Sequence, residues 1–284
     1  MPSSAPRRDT RGIVDPAELL SRVRFRRHTP APELRPYLEH YWLIDWELPE
    51  PYATHVVPHP SVNVVFQRYG ALGAPAAAAD VTAEVSGIGL GLFNQKLAET
   101  GRVCGVQFRP GGFRPFAPAW PVSAWTGRRV PLTEVLPDTG PDLPSAVLSP
   151  DTDHARVAAL DAFLLAHGPT PDPAADEAMR LVDLVRTDRM IRKVSRLASA
   201  AGLSARSLQR LFATHVGVGP KWVILRYRLH EALERAEAAG EAGAVDWAAL
   251  AAELGYSDQA HLVRDFTATI GVPPTAYARG VSAR

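Results

Sequence analysis

The chain has 284 residues, 46% of them hydrophobic and 21% charged, with a formal net charge of +1. This balance is typical of a globular protein of about two domains, and it excludes a disordered or fibrous chain. One cysteine, Cys104, excludes an internal disulfide and a cysteine-based zinc site. Because no apolar run approaches the roughly 20 residues that span a bilayer, and the first residues lack a signal-peptide core, we expect a cytoplasmic protein.

The N-terminal half predicts an arm followed by a β-rich domain. Residues 1–20 are rich in Arg, Ser and Pro and predict a flexible arm. From Phe25 to Phe116, short apolar segments alternate with Pro and Gly, which favours a small barrel or sandwich. We assign residues 21–145 to this β-rich domain and treat it as an effector or dimerisation domain. The predicted strands are Tyr37–Trp46, Val62–Tyr69, Glu84–Leu92 and Arg102–Phe108.

Few residues of this domain indicate chemistry. His55 and His59 lie beside prolines without a third ligand at a suitable spacing, so no metal site is predicted. The arginines of the RPGGFR segment, Arg109 and Arg114, either face a carboxylate or cap the structure. Tryptophans suggest a binding cavity, although such side chains more often belong to a core. Because the sequence offers no nucleophile–base pair, phosphate loop or paired carboxylate, we predict no catalytic residue, no cofactor and no enzyme.

Residues 146–173 predict a linker that contains a helix. The helix covers Asp151–His167, and its apolar stripe predicts either packing on the N-terminal domain or an antiparallel dimer contact. The stripe consists of Val157, Leu160, Phe163 and Leu164. After a break at Gly168 to Pro173, another helix is predicted from Ala174 to about Val185.

Two stretches of the C-terminal part are copies of one another. Val194–Phe212 (VSRLASAAGLSARSLQRLF) returns in altered form as Leu250–Phe266 (LAAELGYSDQAHLVRDF). Matched residues are 53 positions apart before the extra residue Asp258, and 54 positions apart after it. Such ordered matches indicate a duplicated supersecondary unit. They include Leu197/Leu250, Ala198/Ala251, Gly202/Gly255, Ser204/Ser257, Leu208/Leu262, Arg210/Arg264, Phe212/Phe266, Gly217/Gly271 and Pro220/Pro274.

Each copy has the parts of a helix-turn-helix. A short helix ends at Gly202 or Gly255, which suits a left-handed turn, and Ser204 or Ser257 follows as the expected N-cap of the next helix. That second helix buries apolar residues at i, i+4 spacing and exposes polar ones. The exposed residues are Arg206, Gln209 and Arg210 in the first copy, and Gln259, His261 and Arg264 in the second.

These exposed side chains are suited to reading DNA. Arg pairs in bidentate fashion with guanine and Gln with adenine in the major groove. The alternative for one copy is a helical hairpin with solvated polar residues, but the repeated Gly-x-Ser pattern favours DNA reading. The charge supports it, since residues 186–284 hold 14 Lys/Arg against 9 Asp/Glu, and residues 1–185 hold 17 against 21.

A long helix is predicted between the copies, from Pro220 to about Ala239. At roughly 1.5 Å per residue its about 19 residues span about 28 Å. A rigid spacer of this length would set two recognition helices about one DNA turn apart, roughly 34 Å.

The C-terminal hundred residues resemble the AraC/XylS family of bacterial transcription regulators. The motifs that carry the resemblance are LASAAGLSARSLQRLFATHVGVGPKW, RYRLHEAL and LAAELGYSDQAHLVRDFTATIGVPPTAY. The resemblance implies a DNA-binding domain over residues 174–284, with seven helices and two helix-turn-helix units. Carried over by position, the residues that meet bases and phosphates are Arg206, Gln209, Arg210, Gln259, Ala260, His261 and Arg264. Of these, Ala260 can at most contact a thymine methyl.

The N-terminal half resembles the sensor half of such regulators through its PHPSVN and FRPGGF segments, which implies a cupin-like fold. The fold class expected for the whole chain is therefore α+β, with a mainly-β domain before an all-α domain.

The sequence thus predicts a sequence-specific DNA-binding transcription regulator modulated by its N-terminal half. The expected partner is double-stranded promoter or operator DNA; RNA polymerase, a small-molecule effector and a second copy (a homodimer) are further candidates, and no membrane is expected. One alternative is an N-terminal half that binds a protein instead of a metabolite. Another is an alkyl-transfer DNA-repair enzyme, for which Cys104 would need to be an activated thiolate.

Overall fold

The computed structural model describes residues 12–71, 80–240 and 245–282. An antiparallel sheet with flanking helices forms the N-terminal domain, and helices alone form the C-terminal domain, so the α+β fold class is confirmed. The strands are β1 (Arg24–His28), β2 (Leu38–Val56), β3 (Asn63–Gly70), β4 (Asp80–Ser86), β5 (Phe93–Phe108) and β6 (Arg129–Pro131).

The six strands form one sheet in the order β1-β2-β5-β3-β4-β6, and every neighbouring pair is antiparallel. The strands β1 and β6 had no counterpart in the sequence prediction. In β1 the residues RFRRH include a single apolar side chain, Phe25, and β6 has three residues, so neither shows a readable hydrophobic period.

The strand predicted over Glu84–Leu92 lies earlier in the structure, because β4 ends at Ser86. At Gly87 the backbone comes so close to Trp125 that an added Cβ would stand 1.9 Å from the Trp125 carbonyl oxygen. This close approach takes the chain out of the sheet into a glycine-rich loop.

Two tryptophans of β2 lie over glycines of β5. Trp42 is opposite Gly105 and Trp46 is opposite Gly101 in the strand register. A Cβ on either glycine would stand 1.9 Å from an indole ring atom, so each ring occupies the space of the missing side chain. These tryptophans are packing residues of the sheet, as expected for most core aromatics.

The helices before the C-terminal domain are α1 (Pro16–Arg22), α2 (Leu132–Val135), α3 (Leu143–Leu148) and α4 (Asp153–His167). Helix α1 begins within the segment predicted as a flexible arm. The Asp15 carboxylate accepts a hydrogen bond from the Glu18 amide at 3.1 Å, Pro16 takes a first-turn position, and Leu19 is buried. The remainder of that arm, residues 1–11, lies outside the described residues.

The apolar stripe of α4 packs on the N-terminal domain, which is the first of the two interpretations that the sequence allowed. Leu160 and Leu164 are buried in the main core, and the ring of Phe163 meets that of Phe66 edge-on at 6.1 Å.

A charged cluster fastens α4 to the sheet. The Asp45 carboxylate on β2 accepts hydrogen bonds from Arg26, Arg102 and Arg156, and the last of these is 1% exposed. Burial alone would raise the pKa of Asp45, but the hydrogen bonds from Arg26 and Arg102 outweigh it and hold that pKa below its usual value.

The C-terminal domain contains α5 (Pro173–Thr187), α6 (Val194–Ala201), α7 (Ala205–His215), α8 (Pro220–Gly240), α9 (Trp247–Leu254), α10 (Gln259–Ile270) and α11 (Pro274–Ser282). The described residues thus hold the seven helices that the resemblance implied. They divide between two cores. The main core of the β-domain continues into α5–α7, where it includes Leu181 and Phe212, whereas α9–α11 and part of α8 form a second core around Leu250 and Phe266.

Candidate nucleic-acid interface

The first helix-turn-helix unit forms as the sequence predicts. Helix α6 ends at Gly202, which has a φ of 63°, and the next helix begins after Ser204. The Ser204 hydroxyl caps α7 by accepting a hydrogen bond from the Ser207 amide at 3.1 Å. Because Leu208 and Phe212 are fully buried, one face of α7 is fixed against the core and the other is presented to solvent.

The exposed face of α7 carries the three residues predicted to read DNA. Arg206, Gln209 and Arg210 are all exposed. Among the described residues, neither arginine has a hydrogen-bond or ion-pair partner, so both guanidinium groups are available. The Gln209 amide nitrogen leans toward the turn after α7, where it lies 3.2 Å from the position of a Cβ on Gly219.

The second unit has the same outline, but a different residue caps its recognition helix. Helix α9 ends at Gly255, which has a φ of 74°. The prediction that Ser257 caps this helix is wrong, because the Asp258 carboxylate accepts the hydrogen bond from the His261 amide, at 2.7 Å. Since Asp258 is the extra residue of this copy, it displaces Ser257 by one position, and a carboxylate is favourable at a helix N-terminus.

The exposed face of α10 is less open than that of α7. Gln259, Ala260 and Arg264 are exposed, as predicted, whereas His261 is half-buried. The His261 ring meets the ring of Tyr256 edge-on at 5.1 Å, and its Nδ1 lies 3.1 Å from the Ser257 hydroxyl. The structure therefore holds His261 against its own helix start, which no periodicity in the sequence indicated.

Helix α8 joins the two units over Pro220–Gly240, within a residue of its predicted end. Its predicted apolar stripe packs inward: Leu229, Leu233 and Ala236 are buried, and Trp222 and Leu225 are half-buried. The carboxylate of Asp246 begins the second unit by capping α9, with hydrogen bonds from the amides of Ala248 and Ala249.

The N-terminal domain contacts the first unit just beyond α7. The Thr126 hydroxyl donates a hydrogen bond of 2.7 Å to the carbonyl oxygen of Gly217. A second contact at this end of α7 is made with α5. His215 of α7 is buried, and its Nε2 lies 3.2 Å from the carboxylate of Asp172, the N-cap of α5. These contacts lie at the end of α7 and leave its exposed face uncovered.

The N-terminal domain also contacts the connecting helix and the second unit. On α8, the Nε2 of His230 lies 3.3 Å from the carbonyl oxygen of Pro58, and the His59 ring meets the rings of Tyr227 and His230. Val57 is part of the second core. The PHPSVN segment, noted in the sequence without a role, is thus a contact between the two domains.

A cleft of about 210 Å³ opens at this junction. Its lining includes the buried apolar side chains of Ile191, Ile224 and Leu254 together with charged side chains. Arg189 and Glu231 form an ion pair of 2.7 Å at this site. The cleft is therefore bordered by the N-terminal domain, by the chain before α6, and by α8 and α9.

The alternative chemistries receive no support from the described residues. Cys104 is buried, and burial raises the pKa of its thiol to about 12, which is the opposite of an activated thiolate. Nowhere in the described ranges do three His, Cys, Asp or Glu side chains form a group that could hold a metal ion.

Of the two interpretations of the RPGGFR segment, the structure shows the first for Arg109. Its guanidinium faces the carboxylate of Asp183 on α5, at 2.5 Å.

Comparisons with family models match two segments of the chain. Residues 197–280 match the family described as "Helix-turn-helix domain", and residues 26–131 match "Domain of unknown function (DUF6597)". No curated protein matches the sequence. Across residues 12–71, 80–240 and 245–282, no helix combines the length and apolar character that crossing a membrane requires.

Solved structures of low identity also match. The C-terminal domain of AraT, a response regulator from Geobacillus stearothermophilus, is 18% identical over 36% of this chain and 82% of that one, with a TM-score of 0.32. ToxT from Vibrio cholerae is 10% identical over 91% and 98% of the two chains, with a TM-score of 0.42. ToxT with bound unsaturated fatty acid, from strain SCE256, is 11% identical over 90% and 99%, with a TM-score of 0.44.

The two units, their left-handed glycine turns and the family match together define a helix-turn-helix DNA-binding domain. This domain lies in the C-terminal part of the chain, over residues 197–280.

Proposed function

We propose that the protein is a sequence-specific transcription regulator that places α7 and α10 in two successive major-groove segments of promoter or operator DNA. The main support for this proposal is that each of the two helices buries one face in its own hydrophobic core and exposes the opposite face. The exposed faces hold Arg206, Gln209, Arg210, Gln259, Ala260 and Arg264, with His261 at the edge. Arg and Gln are the side chains that read guanine and adenine edges.

The length of α8 supports this arrangement. Its 21 residues span about 31 Å at roughly 1.5 Å per residue. This is close to the roughly 34 Å between adjacent major-groove segments on one face of DNA.

We also propose that the N-terminal domain is the effector or dimerisation half. Its contacts with Gly217 at the end of the first unit and with His230 on α8 support this proposal. The cleft at the same junction supports a small-molecule effector, because a ligand there would touch α8, which joins the two units, and α9 of the second unit. A compound that fits should raise the melting temperature saturably. The Arg189→Ala variant, altered in the cleft lining, should respond less, and an equal response would place the ligand elsewhere.

DNA reading is tested with Arg210→Ala on the duplex that the full-length protein selects. One bidentate contact contributes about 1–3 kcal/mol of base discrimination, so affinity should fall and specificity should relax at one base pair. Unfolding should be unchanged because the side chain is exposed. Arg180→Ala is the matched control, since Arg180 is also exposed but pairs with Glu177 on α5. Equal affinities of Arg210→Ala and wild type would contradict the assignment.

A further inference from the structure

The two helix-turn-helix units are alike in fold and opposite in charge. The first unit, residues 193–217, contains four basic side chains and no acidic one. The second unit, residues 246–271, contains four acidic side chains and one basic one. In the first unit the basic side chains are Lys193, Arg196, Arg206 and Arg210, and all four are exposed. In the second the acidic ones are Asp246, Glu253, Asp258 and Asp265, and the basic one is Arg264.

The difference reaches the starts of the recognition helices themselves. Helix α7 is capped by the neutral hydroxyl of Ser204, whereas α10 is capped by the carboxylate of Asp258. The hydrogen bond from the His261 amide holds the pKa of Asp258 below its usual value, so this exposed cap carries a negative charge at neutral pH. Further along α10, the carboxylate of Asp265 accepts a hydrogen bond from Tyr256 at 2.8 Å.

These charges have opposite effects on a DNA backbone. Basic side chains near phosphates release condensed counterions, which strengthens binding and makes it depend on salt. A carboxylate near the N-terminus of a recognition helix offsets the attraction of the helix dipole for a phosphate. The second unit itself contains one basic residue, Arg264, and four acidic ones. One of the four, Glu253, pairs with Arg235 of α8 at 3.5 Å.

We propose that the first unit supplies the electrostatic hold on the DNA backbone, and that the second unit reads base edges without holding phosphates. The inference rests on the proposed function and assigns different parts of DNA binding to the two units. Base reading by α10 then falls to Gln259 and Arg264, both exposed. Part of this difference comes from the helix caps, which are the neutral Ser204 in the first unit and the charged Asp258 in the second.

The test exchanges the two caps in the full-length protein, as Asp258→Ser and Ser204→Asp. Both residues are good N-caps, so each helix keeps its hydrogen bond, and Asp258→Asn is a second neutral cap for comparison. Binding to the selected duplex is measured from 50 to 200 mM salt, and thermal melting is followed as a control on folding. Asp258→Ser and Asp258→Asn should bind roughly two- to fivefold more tightly, and Ser204→Asp should bind more weakly by a similar factor.

The salt dependence gives a second readout. The double variant Lys193→Ala, Arg196→Ala removes two exposed basic side chains of the first unit that are not assigned to base reading. It should lose up to about 1.8 from the slope of log affinity against log salt, since each phosphate contact contributes about 0.9. Arg264→Ala should change affinity at one base pair and leave the slope nearly unchanged.

Two results would overturn the inference and leave the proposed function intact. One is that the wild-type protein binds its duplex and that Asp258→Ser and Asp258→Asn bind it with the same affinity as wild type. The other is a slope loss for Arg264→Ala of about 0.9, the value of a full phosphate contact. A wild-type protein that selected no duplex would overturn both proposals.

Discussion

The Thr126 hydroxyl donates a hydrogen bond to the carbonyl oxygen of Gly217, which joins the N-terminal domain to the first DNA-reading unit. Gly217 follows α7 with a φ of 97°, and a Cβ added to it would meet Val122 and Ile88 of the N-terminal domain. Its counterpart in the second copy, Gly271, has a φ of 87° with no atom within 4 Å of an added Cβ. One repeated glycine therefore has two environments, and only the first lies in a contact between domains.

Substitution of these glycines should separate backbone strain from packing. In both Gly217→Ala and Gly271→Ala, the left-handed backbone costs about 1–2 kcal/mol. At position 217 the Cβ would also stand 2.8 Å from Val122, and such overpacking adds about 1–3 kcal/mol. Urea unfolding should thus show the larger loss for Gly217→Ala. Equal losses would show that the first unit is not tightly packed against Val122.

The charged cluster at Asp45 should be a main element of N-terminal stability. Asp45→Asn leaves Arg26, Arg102 and Arg156 without their shared carboxylate, and we expect a loss of about 2–4 kcal/mol in the free energy of unfolding. The control is Asp151→Asn, because Asp151 is exposed nearby. Denaturant unfolding checks both variants, and a loss no greater than that of the control would contradict this role.

Acid should weaken the same cluster through Asp153. The hydrogen bond from Arg26, opposed by burial, lowers the pKa of Asp153 to about 2. Because this value lies below the unfolded one of about 3.9, the stabilisation is fully present above pH about 4 and is lost as the pH falls toward 2. Urea midpoints measured from pH 5 to pH 2 should therefore fall more steeply for wild type than for Asp153→Asn. Parallel curves would show that Asp153 gains nothing from its arginine partners.

Cys104 should be inert in the folded protein. Its side chain is buried between β2 and β3, and the raised pKa keeps the thiol protonated at neutral pH. Iodoacetamide should label it in denaturant and leave it unlabelled in native buffer, as judged by mass spectrometry. Rapid native labelling would reopen the alkyl-transfer alternative.

The C-terminal fold was largely predictable because its signals are local. Helical periodicity, glycine at the turns and proline at the start of α8 each depend on neighbouring residues, and the duplication showed them twice. The cap of α10 was missed because Ser257 matches Ser204 in the alignment, while the added residue Asp258 places a stronger acceptor one position later.

The N-terminal domain was predictable only in part because its decisive contacts are distant in sequence. The edge strand β1 has little apolar pattern and depends on pairing with β2. Likewise, Gly101 and Gly105 are required by the indole rings of Trp46 and Trp42, and the contact of His59 with Tyr227 joins residues of different domains. Helical spacing predicted the exposure of Arg206, Gln209, Arg210, Gln259 and Arg264, and the family resemblance added Ala260. Neither indicated that His261 is half-buried.

The most direct measurement is in vitro selection of bound duplexes from random DNA, with the full-length protein at moderate salt. If α7 and α10 both read DNA, one motif should be enriched, with two blocks about one helical turn, roughly 10 base pairs, apart. The Arg210→Ala protein should lose sequence preference at one base pair of one block and keep the other block unchanged. A wild-type protein that enriches no motif, or one whose motif is unchanged by Arg210→Ala, would contradict the proposed function.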